Sequence, residues 1–151
     1  MSGFHKLRKA TLDDVPFICA LEAVPENTYV HSYSEDVHRE NVASESAHYL
    51  IGETITGEPV GYAILFDDGP DRVEWRRIIV SKPGSGIGSP FMDAIIEHYR
   101  QQGTRALWLD VYEENERARH VYRGRGFQET VIQPIEAGSE TNLVIMELSL
   151  V

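Results

Sequence analysis

Cysteine is almost missing from this sequence. Cys19 is the only one, so no disulfide can form within the chain, and a lone thiol beside Phe17 and Ile18 reads as a small buried hydrophobe. Long apolar runs are missing too. No stretch approaches the 18 residues of a membrane-spanning helix, and the opening charges His5, Lys6, Arg8 and Lys9 lead into no apolar segment, so no membrane partner is expected and the expected location is cytoplasmic. Basic residues are scarce: 14 Lys and Arg stand against 24 Asp and Glu, a net charge of -10. That balance opposes the phosphate neutralisation on which polynucleotide binding depends, so no nucleic-acid partner is expected. Repeats, low-complexity tracts and Gly/Ser linkers are also lacking, which leaves one domain over residues 1–151. A chain of that size buries roughly 68 to 70% of its unfolded surface, enough for a core of its own.

What is present is an alternation of strand and helix signals. Phe4 to Lys9 reads as a strand, and Thr11 with Asp14 forms a capping box before the apolar stripe Leu12, Val15, Phe17, Ile18 and Leu21. Ser34 is an N-cap for a short second helix to about Ala43. Tyr49 to Thr54, Val60 to Phe66 and Arg72 to Val80 read as a three-strand meander joined by Gly- and Pro-containing turns. A long helix follows from near Ile87, stopped by Gly103. Leu107 to Val111 reads as a strand, Asn115 to Arg125 as a helix, and Phe127 to Ile135 and Leu143 to Leu150 as closing strands. The pattern predicts an α/β domain around a central mixed sheet.

The most informative stretch runs from Ile78 through Lys82-Pro83-Gly84-Ser85-Gly86-Ile87-Gly88-Ser89, a strand passing through a glycine-rich turn straight into a helix. Glycines permit positive φ and remove β-carbons, so consecutive amide N–H groups can converge on an anion at the positive end of the helix dipole. A pyrophosphate fits that geometry. The spacing is not a Walker loop, which needs Gly-Lys-Ser/Thr, and not a full G-x-G-x-x-G, because Ser89 holds the third position. A dinucleotide-binding Rossmann unit would also place the loop after the first strand, whereas here it follows the fourth.

A second block carries L-x-L-x-V over Leu107, Leu109 and Val111, then N-x-x-A over Asn115 and Ala118, then Tyr122 and Gly126-Phe127. Over residues 74–127 the two blocks together resemble the GNAT superfamily of acyl-CoA N-acyltransferases. The resemblance implies the GNAT fold, an α/β (α+β) arrangement with a mostly antiparallel mixed sheet of about six to seven strands flanked by about four helices. It also implies acetyl-CoA as acyl donor, no metal, and an amine acceptor that is a small molecule or a peptide; a homodimer is left open. Pro83 departs from the family loop, which carries Arg or Gln there, and Ser85 stands where a basic side chain is common. The loop therefore keeps its backbone donors and loses a polar side chain, with Lys82 as the neighbouring cation.

By the same resemblance, Ile78, Ile79, Val80, Gly84, Ser85, Gly86, Ile87, Gly88, Ser89, Asn115, Ala118 and Tyr122 hold coenzyme A. Tyr122 meets its sulfur, and a backbone N–H near Ile78 to Val80 meets the oxyanion. Glu74 is expected to take the amine proton, directly or through water. A strand carboxylate balanced by Arg76 at i+2 is the plainer account of Glu74, as a core tyrosine beside Ala118 and Val121 is of Tyr122. A base matters because a lysine-like amine sits about 3.4 units above pH 7, roughly 4.6 kcal/mol against its reactive form, while an α-amino group faces only about 1 to 1.4 kcal/mol.

Other patterns carry less. His31, Glu35 and His38 share a face only if their whole segment is helical, so no metal site is expected there. Trp75 and Trp108 read as core or pocket wall. Glu22, Glu26, Glu35, Asp36, Glu40 and Glu45 against a single Arg39 make Leu21 to Leu50 an acidic stretch that would steer a cationic amine. A coenzyme A sensor without catalysis, or a transferase of longer acyl groups, would share every motif above.

Overall fold

The computed structural model describes residues 3–25 and 32–151. Among these residues seven strands form one sheet in the order β1-β2-β3-β4-β5-β7-β6: β1 Lys6–Lys9, β2 Ala47–Glu53, β3 Pro59–Asp67, β4 Arg72–Val80, β5 Ala106–Tyr112, β6 Gln128–Pro134 and β7 Asn142–Ser149. Every neighbouring pair is antiparallel except β4 with β5. Among the described residues four helices flank it: α1 Val15–Glu22, α2 Glu35–Ala43, α3 Gly88–Gln101 and α4 Glu116–Gly124. This is the GNAT fold that the sequence implied.

The predicted caps form. The Asp14 carboxylate accepts the Thr11 N–H at 2.8 Å, although the first turn after Thr11 is a 3-10 turn and α1 proper begins at Val15. Ser34 accepts the Val37 N–H at 3.2 Å, satisfying one of the orphan donors of a helix N-terminus. Cys19 is half-buried, with burial the first cause of a raised thiol pKa.

Strand alternation sorts the core into two layers. Leu50, Ala63, Leu65, Val73, Trp75, Leu107, Leu109 and Val111 meet α3 through Phe91, Met92, Ile95 and Tyr99, with α4 packed beside them. Tyr49, Ile51, Tyr62, Ile64 and Ile79 meet α1 through Ile18 and Leu21. The pairing register shifts at Gly52/Glu53, at Glu129/Val131 and within the β3–β4 pair, and the last of these bears on the site. Ile64 faces Arg77 and Leu65 faces Trp75, so Arg76 is an extra residue, a bulge in β4. Before it Val73 and Trp75 point to the α3 side; after it Ile79 points to the α1 side. One inserted residue flips the parity of the rest of the strand.

Candidate active site

The β4–β5 ladder is short. It pairs Arg72 with Ala106, Val73 with Leu107 and Glu74 with Trp108, and then stops. From Trp75 onward β4 follows β3 while β5 follows β7, so the strands part and leave a cleft of about 480 Å³. That volume lies within the range of ligand sites, roughly 300 to 1,000 Å³. Arg76, Arg77, Ile78, Asp110, Asn115 and Tyr122 are among its walls.

Because the cleft opens between strands of the sheet, groups reach it from both faces. Tyr122 comes from the α4 side. Its ring is set edge-on to Trp75 and Phe127, centroids 6.1 and 5.6 Å away, and its hydroxyl has no hydrogen-bond partner among the described residues. Burial pushes the phenol up to about 12, so it stays protonated at neutral pH. Asp110 comes from the opposite face, since its neighbours Leu109 and Val111 both enter the α3-side core. Burial first, then the charge of Glu74, raises the Asp110 carboxyl, while Arg76 works the other way.

Glu74 itself is committed. Arg76 donates to both its oxygens, at 2.6 and 2.8 Å, as the balanced-pair account anticipated. Arg76 also donates to the Tyr33 hydroxyl at 2.7 Å and lies over the Phe66 ring. Bidentate pairing of this kind leaves a carboxylate poorly placed to take a proton. Asp110 was missed in the sequence, where it serves only as the polar partner in the alternation of the fifth strand.

Of the residues expected to hold coenzyme A, the structure gathers Ile78, Asn115, Ala118 and Tyr122 around the cleft. Asn115 caps α4 through the Ala118 N–H at 3.3 Å. The Ile79 side chain lies in the other core layer. The Ser81 N–H bonds Val60 across the β3–β4 pair, so by antiparallel alternation Ile78 and Val80 turn their N–H groups toward the opened side. Gly84, Ser85, Gly86, Gly88 and Ser89 lie beyond the end of β4, outside the walls of the cleft. Gly84 and Gly86 take φ of 80° and 86°, Ile87 is buried and anchors the turn, and a β-carbon on Gly84, Gly86 or Gly88 would meet no atom within 4 Å. The amides of Gly86, Ile87, Gly88 and Ser89 have no acceptor among the described residues. This is a donor-lined turn open to an anion, at the head of a 14-residue helix, and it fits a pyrophosphate.

The remaining expectations divide. His31 and Glu26 lie outside the described residues, and both His38 ring nitrogens are engaged, by Tyr49 and Glu22. Among the described residues no group of three metal-ligating side chains occurs. Trp75 is core, and Trp108 donates to Asp68 at 2.8 Å. No helix among the described residues is long and apolar enough to cross a membrane.

A family model described as the acetyltransferase (GNAT) family matches residues 15–127. Among solved structures, the chain is similar to the ribosomal-protein-S18-alanine N-acetyltransferase of Escherichia coli, at 22% identity and TM-score 0.78, covering 96% of this chain and 93% of that one. It is similar also to the spermidine N-acetyltransferase of Vibrio cholerae in complex with CoA and spermine, at 18% identity and TM-score 0.81, covering 96% and 95%.

Proposed function

The chain belongs to the GNAT acetyltransferase family, and from that premise we propose that it transfers acetyl from acetyl-CoA to a primary amine, with Asp110 and Tyr122 serving the cleft from opposite faces of the sheet. That opposition is the observation that carries the reading. Acetyl-CoA supplies the thioester carbonyl, its pyrophosphate on the amides of residues 86–89. The amine nitrogen bonds to that carbonyl carbon and the carbon–sulfur bond breaks. Asp110 takes the proton the amine must lose, its raised carboxyl bringing its basicity closer to the amine than that of an ordinary aspartate. The outward N–H groups of Ile78 and Val80 face the carbonyl oxygen. Glu74, with both oxygens held by Arg76, does not take the proton itself.

Tyr122 donates to the departing thiolate. A thiol near pKa 8.5 lies about 3.5 units below a phenol near 12, so full proton transfer would cost roughly 4.8 kcal/mol. The hydroxyl therefore stabilises the thiolate by a charged hydrogen bond and keeps its proton.

The acceptor is a small cationic amine or a peptide N-terminus. Both neighbours are described as acting on amines, spermidine in one and an alanine of ribosomal protein S18 in the other. Acetyl-CoA consumption, screened against polyamines, amino acids, aminoglycosides and peptides with free N-termini, should show thiol release with at least one class. Binding of acetyl-CoA with release by none would overturn the transferase reading.

A further inference from the structure

We infer that Glu22 is a positioning residue for the acetyl transfer, one that fixes the amine side of the cleft without touching the reacting atoms; this rests on the function proposed above. Glu22 ends α1 and is only 6% exposed. A carboxylate there loses water and faces the negative end of the helix dipole. Burial alone would push its carboxyl up, yet His38, Tyr62 and Arg77 hold it below the ordinary value.

Three elements and one loop converge on this single side chain. His38 of α2 meets Oε1 at 2.8 Å, the Tyr62 hydroxyl of β3 donates to Oε2 at 2.5 Å, and Arg77 of β4 donates to Oε2 at 2.6 Å. The backbone N–H of Tyr33 donates to Oε1 at 3.2 Å. His38 is fully buried and passes the order on to Tyr49 of β2 at 2.7 Å.

Tyr33 carries that order to the cleft. Its ring lies against the Arg77 guanidinium at 4.7 Å, and its hydroxyl accepts from Arg76, the residue that clamps Glu74. Tyr33, Arg76 and Arg77 all line the cleft. One buried carboxylate thus orders the polar wall on the face from which Asp110 acts. The hydrogen bonds named here reach neither residues 84–89 nor α4. Disturbing Glu22 should therefore weaken the handling of amine and spare that of acetyl-CoA.

The test compares wild type with Glu22→Gln, which keeps the size and removes the charge, and with Tyr33→Phe, which removes only the hydroxyl that Arg76 binds. Each is assayed with the amine of the screen above that wild type acetylates fastest, and acetyl-CoA affinity is measured by calorimetry. Glu22→Gln is expected to raise the amine KM about tenfold or more, and Tyr33→Phe about three- to tenfold, with acetyl-CoA Kd within about twofold of wild type. In a folded variant, amine KM and acetyl-CoA Kd weakening together overturns the inference, as does an unchanged amine KM. If Glu22→Gln does not fold, Tyr33→Phe decides by the same criterion. Wild type that binds acetyl-CoA but acetylates no amine removes the proposed function and this inference with it. Active wild type with unmoved variants removes this inference alone.

Discussion

Asp110 and Tyr122 place opposite demands on the cleft, and their substitutions should separate. Asp110 is raised above its ordinary 3.8, so its basic form accumulates only above that raised value, and kcat/KM should climb with pH along that limb. Asp110→Asn should cost about 100- to 10,000-fold in kcat, and the acid limb of the pH–rate profile should vanish. The linkage has a definite sign. A carboxyl raised in the folded state adds stability that is full below its unfolded pKa and lost as pH rises through the folded value, so at neutral pH the ionised Asp110 is a net cost. The Asp110 side chain is exposed at the cleft, so water screens that cost and the same variant should melt close to wild type at pH 7. For Tyr122→Phe the lost interaction is one hydrogen bond to a charged atom, about 1.5 to 3 kcal/mol, so kcat should fall about 10- to 150-fold. Acetyl-CoA affinity should hold; a wild-type rate would reduce Tyr122 to a packing residue beside Trp75 and Phe127.

Two glycine-bearing elements illustrate how differently an added side chain can act. Gly86 sits at φ 86° with open space around it, so Gly86→Val meets no atom but strains the backbone of the turn, by about 1 to 2 kcal/mol, and should weaken acetyl-CoA binding by calorimetry. Gly61 lies on β3, where a β-carbon would stand 2.9 Å from the Ile79 carbonyl oxygen and 3.0 Å from the Phe91 ring. Gly61→Ala should lower stability by about 1 to 3 kcal/mol through overpacking, and unchanged acetyl-CoA affinity in Gly86→Val would remove the open turn from the cofactor site. The turn and its helix were legible because positive φ and a helix start leave local marks. Capping at Thr11 and Ser34, and the full extent of β4 from Arg72 to Val80, were legible for the same reason. Asp110 was not, since its significance depends on β5 parting from β4, a matter of long-range pairing. Nor was the Arg76 bulge: simple alternation puts Arg77 on the face of Trp75, whereas the inserted residue turns it toward Glu22.

At the scale of the molecule, a net charge of -10 matters only where it is uncompensated. Glu22 is bound by Arg77 and Glu74 by Arg76, so two acids near the cleft contribute little field. Glu35, Asp36, Glu40 and Glu45 are exposed on or just after α2. That helix packs with α1, on the face from which Asp110 addresses the cleft. A cationic amine approaching that face meets a negative potential, and the path ends at a carboxylate not closed off by a bidentate partner. The screening length shrinks from about 30 Å at 0.01 M salt to about 8 Å at 0.15 M, so kcat/KM for a cationic acceptor should fall over that interval, with kcat nearly unchanged because the effect lies in encounter. The double variant Glu35→Gln, Asp36→Asn should start lower at low salt and converge on wild type at high salt. Parallel salt curves for the two proteins, or a neutral acceptor preferred over a cationic one, would make the acidic run a solvated face without a role in capture.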